Sequence, residues 1–288
     1  MKLVNKFYIS SPPNKIHISS WGNKKNPLCL FLHGWMDNSA SFESVINKLK
    51  KNWFCIAPDL RGFGKSKSKQ VHFWFPEYLY DLDNVIKSIS KRKINLIGHS
   101  MGANIAGLYA GINPDIINKL ILIEGFGMPD RSKEDACAHY KKWLTQMNND
   151  ITIRDFDNIK SVKQNILKRA PNISKTNLDK YAKKWVSYNK KTKKYEILAS
   201  KYHKVINPVT YKLKDAIDCW KNIKSPCLWV YNENFINNSF FSKNKKMFNQ
   251  YKKFFNSPKE VIIKNSNHMI QLEQPDLLSN EIKNFLQN

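Results

Sequence analysis

Negative charge and arginine are both scarce in this chain, and the two scarcities pull in opposite directions. Its 288 residues hold 23 Asp and Glu against 48 Lys and Arg, a formal net charge of +25. That excess alone would suggest a nucleic acid or an anionic membrane as partner. Arginine, however, occurs only at Arg61, Arg92, Arg131, Arg154 and Arg169, which leaves 43 lysines scattered beside abundant Asn and Ile. Base readers rely on the bidentate guanidinium, so no nucleic acid partner is expected. Lys, Asn and Ile together are what an AT-rich genome imposes, and a drifted, solvated surface explains most of the charge. A residual attraction to an acidic partner, such as an anionic or carrier-bound acyl substrate, is the alternative.

Long apolar runs and paired cysteines are lacking too. The opening stretch MKLVNKFYISSPPNK has no apolar core of signal-peptide length, and no later run approaches a membrane span. A cytoplasmic location without a membrane span is therefore expected. Cys29, Cys55, Cys137, Cys219 and Cys227 form no C-x-x-C pair, and three of them lie in apolar runs; reduced core thiols follow. No phosphate loop, metal cluster or G-x-G-x-x-G segment occurs, so no cofactor and no metal are expected.

What is present is a folding chain, 42% hydrophobic with eight Trp, large enough to bury a pocket. Short apolar runs recur at 28–32 (LCLFL), 53–57 (WFCIA), 94–98 (INLIG), 120–124 (LILIE), 227–231 (CLWVY) and 261–264 (VIIK). Continuously apolar runs suit strands buried on both faces of a parallel sheet. Helical patterns lie between them at 42–51, 78–90 and 103–112, and strand–helix alternation predicts a doubly wound α/β fold. KIHISSWG at 15–22 alternates polar and apolar residues, as an antiparallel edge strand would. From 128 to 222 aromatic and Lys-rich helical patterns run without a convincing strand. This stretch reads as an inserted helical cap, with the core formed by 1–127 and 223–288.

The chemistry gathers at strand ends. Gly98-His99-Ser100-Met101-Gly102 fits G-x-S-x-G, follows an apolar run and precedes a small-residue helix, the setting a nucleophile elbow requires. The helix N-terminus would point free N–H groups at a forming anion. FLHGWMDNSASF at 31–42 is another strand end on the same rim of such a sheet. The backbone N–H groups of Trp35 and Met101 are thus candidates for an oxyanion hole. The side chain of His33 is expected to be structural.

In this order, HGW at 33–35, PDLRGFGKS at 58–66, GHSMG at 98–102, LILIEGFG at 120–127 and NSNHMIQLEQPD at 265–276 resemble the α/β-hydrolase fold superfamily over nearly the whole chain. The resemblance is strongest to bacterial hydrolases carrying HGW-x-D and EGFG segments and to serine hydrolase-like proteins. It implies a mostly parallel eight-stranded sheet flanked by helices, a helical cap after the sixth strand, and a catalytic order of Ser, acid, His. Carried over residue by residue, Ser100 is the nucleophile and His268 the general base; His99 is a poor second candidate, and Asp59 and Arg61 are structural.

The acid departs from the common pattern. Most relatives place an Asp in a G-x-x-D-like segment after the seventh strand, where this chain reads Asn232-Glu233-Asn234-Phe235. Glu124 stands at the end of the sixth strand, where haloalkane dehalogenases and related luciferases carry a glutamate that orients the histidine. Glu124 directly terminates a strong strand and is preferred; Glu233 is the alternative. Phe126, Met128, Tyr140 and Trp143 are candidates for the substrate pocket. The resulting expectation is a carboxylesterase-like serine hydrolase that cleaves an ester or thioester of a small to medium acyl group. C–C bond hydrolysis and a non-catalytic ligand-binding or scaffold role on the same fold are the alternatives. Neither substrate identity nor oligomeric state is legible.

Overall fold

The computed structural model of the protein describes residues 5–243 and 245–288; residues 1–4, part of the opening stretch read for a leader, lie outside the described residues. Strands β1 (Asn5–Ser11) and β2 (Asn14–Trp21) form a hairpin. After it come β3 (Leu28–Leu32), α1 (Glu43–Leu49), β4 (Phe54–Pro58), α2 (Phe75–Ile89), β5 (Ile94–His99), α3 (Met101–Ile112) and β6 (Ile117–Ile123). The next stretch holds α4 (Ala136–Asn148), β7 (Asp155–Phe156), α5 (Ile159–Arg169), α6 (Lys175–Trp185), β8 (Val186–Asn189), β9 (Lys194–Ile197) and α7 (Leu213–Trp220). The chain closes with β10 (Cys227–Asn232), α8 (Phe235–Asn238), α9 (Lys245–Phe254), β11 (Lys259–Ile263), α10 (Ile270–Glu273) and α11 (Pro275–Gln287).

Eight strands make one sheet in the order β1-β2-β4-β3-β5-β6-β10-β11, antiparallel through β2 and β4 and parallel from there on. The apolar runs fill both faces because successive side chains point to opposite sides. Leu30, Leu32, Ile56, Leu96, Leu120, Leu122 and Trp229 pack with Leu82, Ala106, Tyr109, Trp220 and Phe248 of α2, α3, α7 and α9. Their neighbours Phe31, Cys55, Ile97, Ile121 and Val230 pack the other way, against Val45 and Ile46 of α1 and Leu278 and Ile282 of α11. Each such side chain contributes on the order of 1.5–3 kcal/mol by leaving water, and a sheet covered on both faces is what a parallel arrangement needs.

Two local expectations are corrected. The segment at 15–22 does pair antiparallel, but β1 lies outside it and is the edge strand. The stretch at 128–222 also contains strands: β7, β9 and β8 form a small antiparallel sheet of their own. Around that sheet Phe156, Val162, Ile166, Leu178, Tyr181 and Trp185 make a separate apolar cluster that also takes in Met269 and Leu272. This stretch thus packs directly onto the segment that follows the last strand. Among the described residues no helix is long and apolar enough to cross a membrane.

Candidate active site

The carboxyl ends of β3, β5, β6, β10 and β11 lie on one rim, and the loops that leave them bring the chemistry-bearing residues together. β5 runs into α3 through a single residue, Ser100, at φ 53° and ψ −116°. A non-glycine residue there stores on the order of 1–3 kcal/mol of strain. The turn is possible because its flanks carry no side chain. A Cβ on Gly98 would lie 2.3 Å from the carbonyl oxygen of Gly102, and one on Gly102 would lie 2.3 Å from that of Leu32. The Ser100 amide donates to the Ile123 carbonyl at 2.8 Å, which ties the turn to β6.

His268, in the loop between β11 and α10, approaches Ser100 with Nε2 2.9 Å from Oγ. Its Nδ1 lies 3.2 Å from Oε2 of Glu124. A proton on Nδ1, donated to that carboxylate, leaves the Nε2 lone pair free to accept from the serine hydroxyl. Glu124 is the residue after β6, at φ 54°, and its side chain is only 2% exposed against 49% for His268. Its other oxygen, Oε1, accepts from the Asn232 amide at 2.6 Å and from Asn232 Nδ2 at 2.9 Å. Burial pushes the Glu124 carboxyl above its ordinary pKa, and the His268 and Asn232 donors pull it part of the way back. Glu233 is exposed and accepts from the Asn265 amide at 3.2 Å.

A set of polar residues with no motif of their own fixes this geometry. His99 Nε2 donates to the His268 carbonyl at 2.7 Å, and Gln271 Nε2 donates to His99 Nδ1 at 3.2 Å. Burial, with His268 adding to it, holds His99 well below the usual imidazole range, so it stays neutral. Buried Glu273 accepts from both Asn267 groups, the amide at 2.5 Å and Nδ2 at 3.2 Å, and from the Asn172 amide of the insertion at 3.0 Å. On the other side, His33 Nε2 accepts from the Leu60 amide at 2.9 Å while its Nδ1 lies 2.8 Å from the Gly34 carbonyl. His33 is therefore consumed by its own turn. A Cβ on Gly34 would lie 3.2 Å from that of Ser100, so the loop holding Trp35 passes directly over the serine.

Two separate cavities border residues of this rim. One, of about 590 Å³, is lined by Ser100, His268, Glu124, Phe126, Lys168 and Arg169. The other, of about 720 Å³, has Trp35 and Met101 in its wall together with Trp74, Met128, Val205 and Tyr211. Of the pocket candidates, Phe126 borders the first cavity and Met128 the second. Trp143 on α4 lines neither, and Tyr140 is exposed on the same helix.

The chain is matched over residues 27–275 by a family model described as the alpha/beta hydrolase fold. The chain belongs to the alpha/beta hydrolase fold family. Among curated relatives of this alpha/beta hydrolase-fold chain, a serine hydrolase-like protein of Danio rerio is 27% identical over 145 residues, 50% of this chain and 44% of the relative. A 2-(acetamidomethylene)succinate hydrolase of Mesorhizobium japonicum is 29% identical over 147 residues, 51% of this chain and 50% of the relative. The match thus spans about half the length of these relatives. Among solved structures, the thioesterase domain from the curacin biosynthetic pathway superposes with a TM-score of 0.85 at 20% identity, covering 98% of this chain and all of that one.

Proposed function

We propose that this chain is a serine hydrolase that cleaves a carboxylic ester or thioester of a small to medium acyl group through an acyl-enzyme. The observation that carries the reading is the unbroken line from Ser100 Oγ to His268 Nε2 and from His268 Nδ1 to buried Glu124. Ser100 Oγ attacks the carbonyl carbon as its proton passes to His268 Nε2. The amides of Trp35 and Met101 receive the negative oxygen, and the dipole of α3 adds to them. Collapse breaks the bond to the alcohol or thiol, which leaves with the proton from His268. Water then repeats the attack with His268 as base, releases the acid and restores Ser100. Glu124 keeps the imidazole in the tautomer that both halves need.

The two cavities support a division of the substrate. Trp35, Met101 and Met128 border the more apolar space, suited to an acyl group, whereas Lys168 and Arg169 beside His268 suit an anionic portion. The names of the relatives and the thioesterase likeness agree with hydrolysis of an acyl bond. The decisive measurement is labelling with a fluorophosphonate probe followed by peptide mapping. The adduct is expected on Ser100, with labelling abolished in Ser100→Ala and slowed at least a hundredfold in His268→Ala. Folded wild-type protein that takes no label would sink the proposal.

A further inference from the structure

The largest of the described cavities, about 830 Å³, is not the one at Ser100. It opens between the β1–β2 hairpin, the turn before α1, the loop after β4, and the α6–β8 junction of the insertion. Lys6 and Lys15 enter from the hairpin, Lys65 and Lys67 from the loop, and Lys183 and Lys184 from the end of α6. Six of its 19 lining residues are therefore lysines. The chain as a whole has 43 in 288, so the density here is about twice the average. The six come from three separate segments around one hollow.

The acids in the lining do not balance these cations. Glu43 is paired with Lys184. Asp59 is surrounded by its own donors, His17 Nδ1, the Ser39 amide and the Lys65 amide, each at 2.9 Å. The other five ammonium groups have no carboxylate partner within 4.0 Å among the described residues. Burial and then the charges of Lys65 and Lys184 hold Lys6 below the ordinary lysine pKa. Such repulsion is relieved by a compact ligand with several negative charges. Polar and aromatic groups complete the wall. Hydroxyls of Ser19, Ser39 and Ser187 line it, and so does Trp21, a 5% exposed residue whose indole N–H has no acceptor. The half-exposed Tyr8 ring stands edge-on to His17 at 5.4 Å.

We infer that this groove binds a small polyphosphorylated molecule, its phosphates held by the five unpaired lysines at the seam between the sheet and the 128–222 stretch. Lysines brought to one hollow from three segments suit a compact ion with three or more charges, because each ammonium acts as a point charge toward phosphate oxygens. No arginine lines the groove, and the guanidinium is the group that stacks on and reads bases. The site is separate from Ser100, so it stands or falls independently of the hydrolase reading.

Calorimetric titration with sodium tripolyphosphate and with ATP, at 0.15 M salt, tests it on the full chain. Saturable binding at one site is expected for both, weakening as salt rises. K65E/K183E should weaken it at least tenfold, and the milder K65Q/K183Q at least threefold. K91E/K93E makes the same charge change outside the groove and should leave it within twofold. Absence of saturable binding, equal losses in the groove and control variants, or binding of ATP without tripolyphosphate would each overturn the proposal. So would a single-stranded oligonucleotide that binds more tightly than either probe and loses affinity in K65E/K183E.

Discussion

Glu124 and Glu233 are the same residue type, each one position past the end of a strand, and the two strands β6 and β10 are parallel neighbours. Only Glu124 reaches His268. Its positive φ turns the side chain inward, where burial and Asn232 hold it. On β10 the inward direction is already taken by Asn232, which is buried, so the next residue must face solvent. The two-residue period of a strand, carried one step beyond its end, decides which carboxylate can serve the imidazole.

The most direct way to break that comparison is to neutralise each glutamate. Glu124→Gln should lower kcat on a short-chain nitrophenyl ester by about 10³- to 10⁴-fold, because an amide nitrogen facing Nδ1 favours the wrong imidazole tautomer. Glu233→Gln should stay within about threefold. A collapse of Glu233→Gln with Glu124→Gln intact would reverse the assignment.

Asp59 gives a buried carboxylate of opposite character on the same rim. Burial opposes its charge, yet His17, Ser39 and Lys65 more than compensate and hold its pKa at about 2. The unfolded value is near 4, so the stabilisation is present above about pH 4 and lost as pH falls toward 2, roughly 2.5 kcal/mol in all. Asp59→Asn should lose about that much in urea unfolding at pH 7 and show a flatter acid limb; an unchanged midpoint would contradict this account.

Removing the donor that Glu124 shares with β10 should cost less. Asn232→Ala keeps the backbone amide bond but deletes the Nδ2 bond, and about a tenfold fall in kcat with KM within twofold is expected. A change in KM alone would place Asn232 in substrate binding instead. The smallest effect is on stability at Glu124 itself. Its folded pKa is raised, so its contribution is most favourable below the ordinary carboxylate pKa and declines as pH rises through the folded value. Glu124→Gln, inactive, should therefore unfold at the same or a slightly higher urea concentration than wild type at pH 8.

The parallel strands were legible because burial on both faces leaves unbroken apolar runs such as Leu28–Leu32, and the serine turn because Gly98 and Gly102 bracket it so closely. β1 escaped because an edge strand carries exposed polar residues on one side, as Asn5–Ser11 does. The strands of the insertion escaped because two to four residues are too few to show a period. Asn232, Gln271 and Glu273 matter through where the strand ends and loops leave them, which no local pattern encodes. The lysine groove is of the same kind: its residues are far apart in the chain and ordinary one by one.

The grip of the 128–222 stretch on the loop over Ser100 has a consequence for engineering. Arg169 of α5 donates to the carbonyls of Trp35 and Met36, and the Trp185 indole of α6 donates to that of Met36. Asp37 next to them receives the Tyr181 hydroxyl at 2.6 Å. The 128–222 stretch and this loop are therefore held together as one unit. A transplanted cap lacking the equivalents of Arg169, Tyr181 and Trp185 would leave the sheet folded and its catalytic mouth without the frame that holds it in shape.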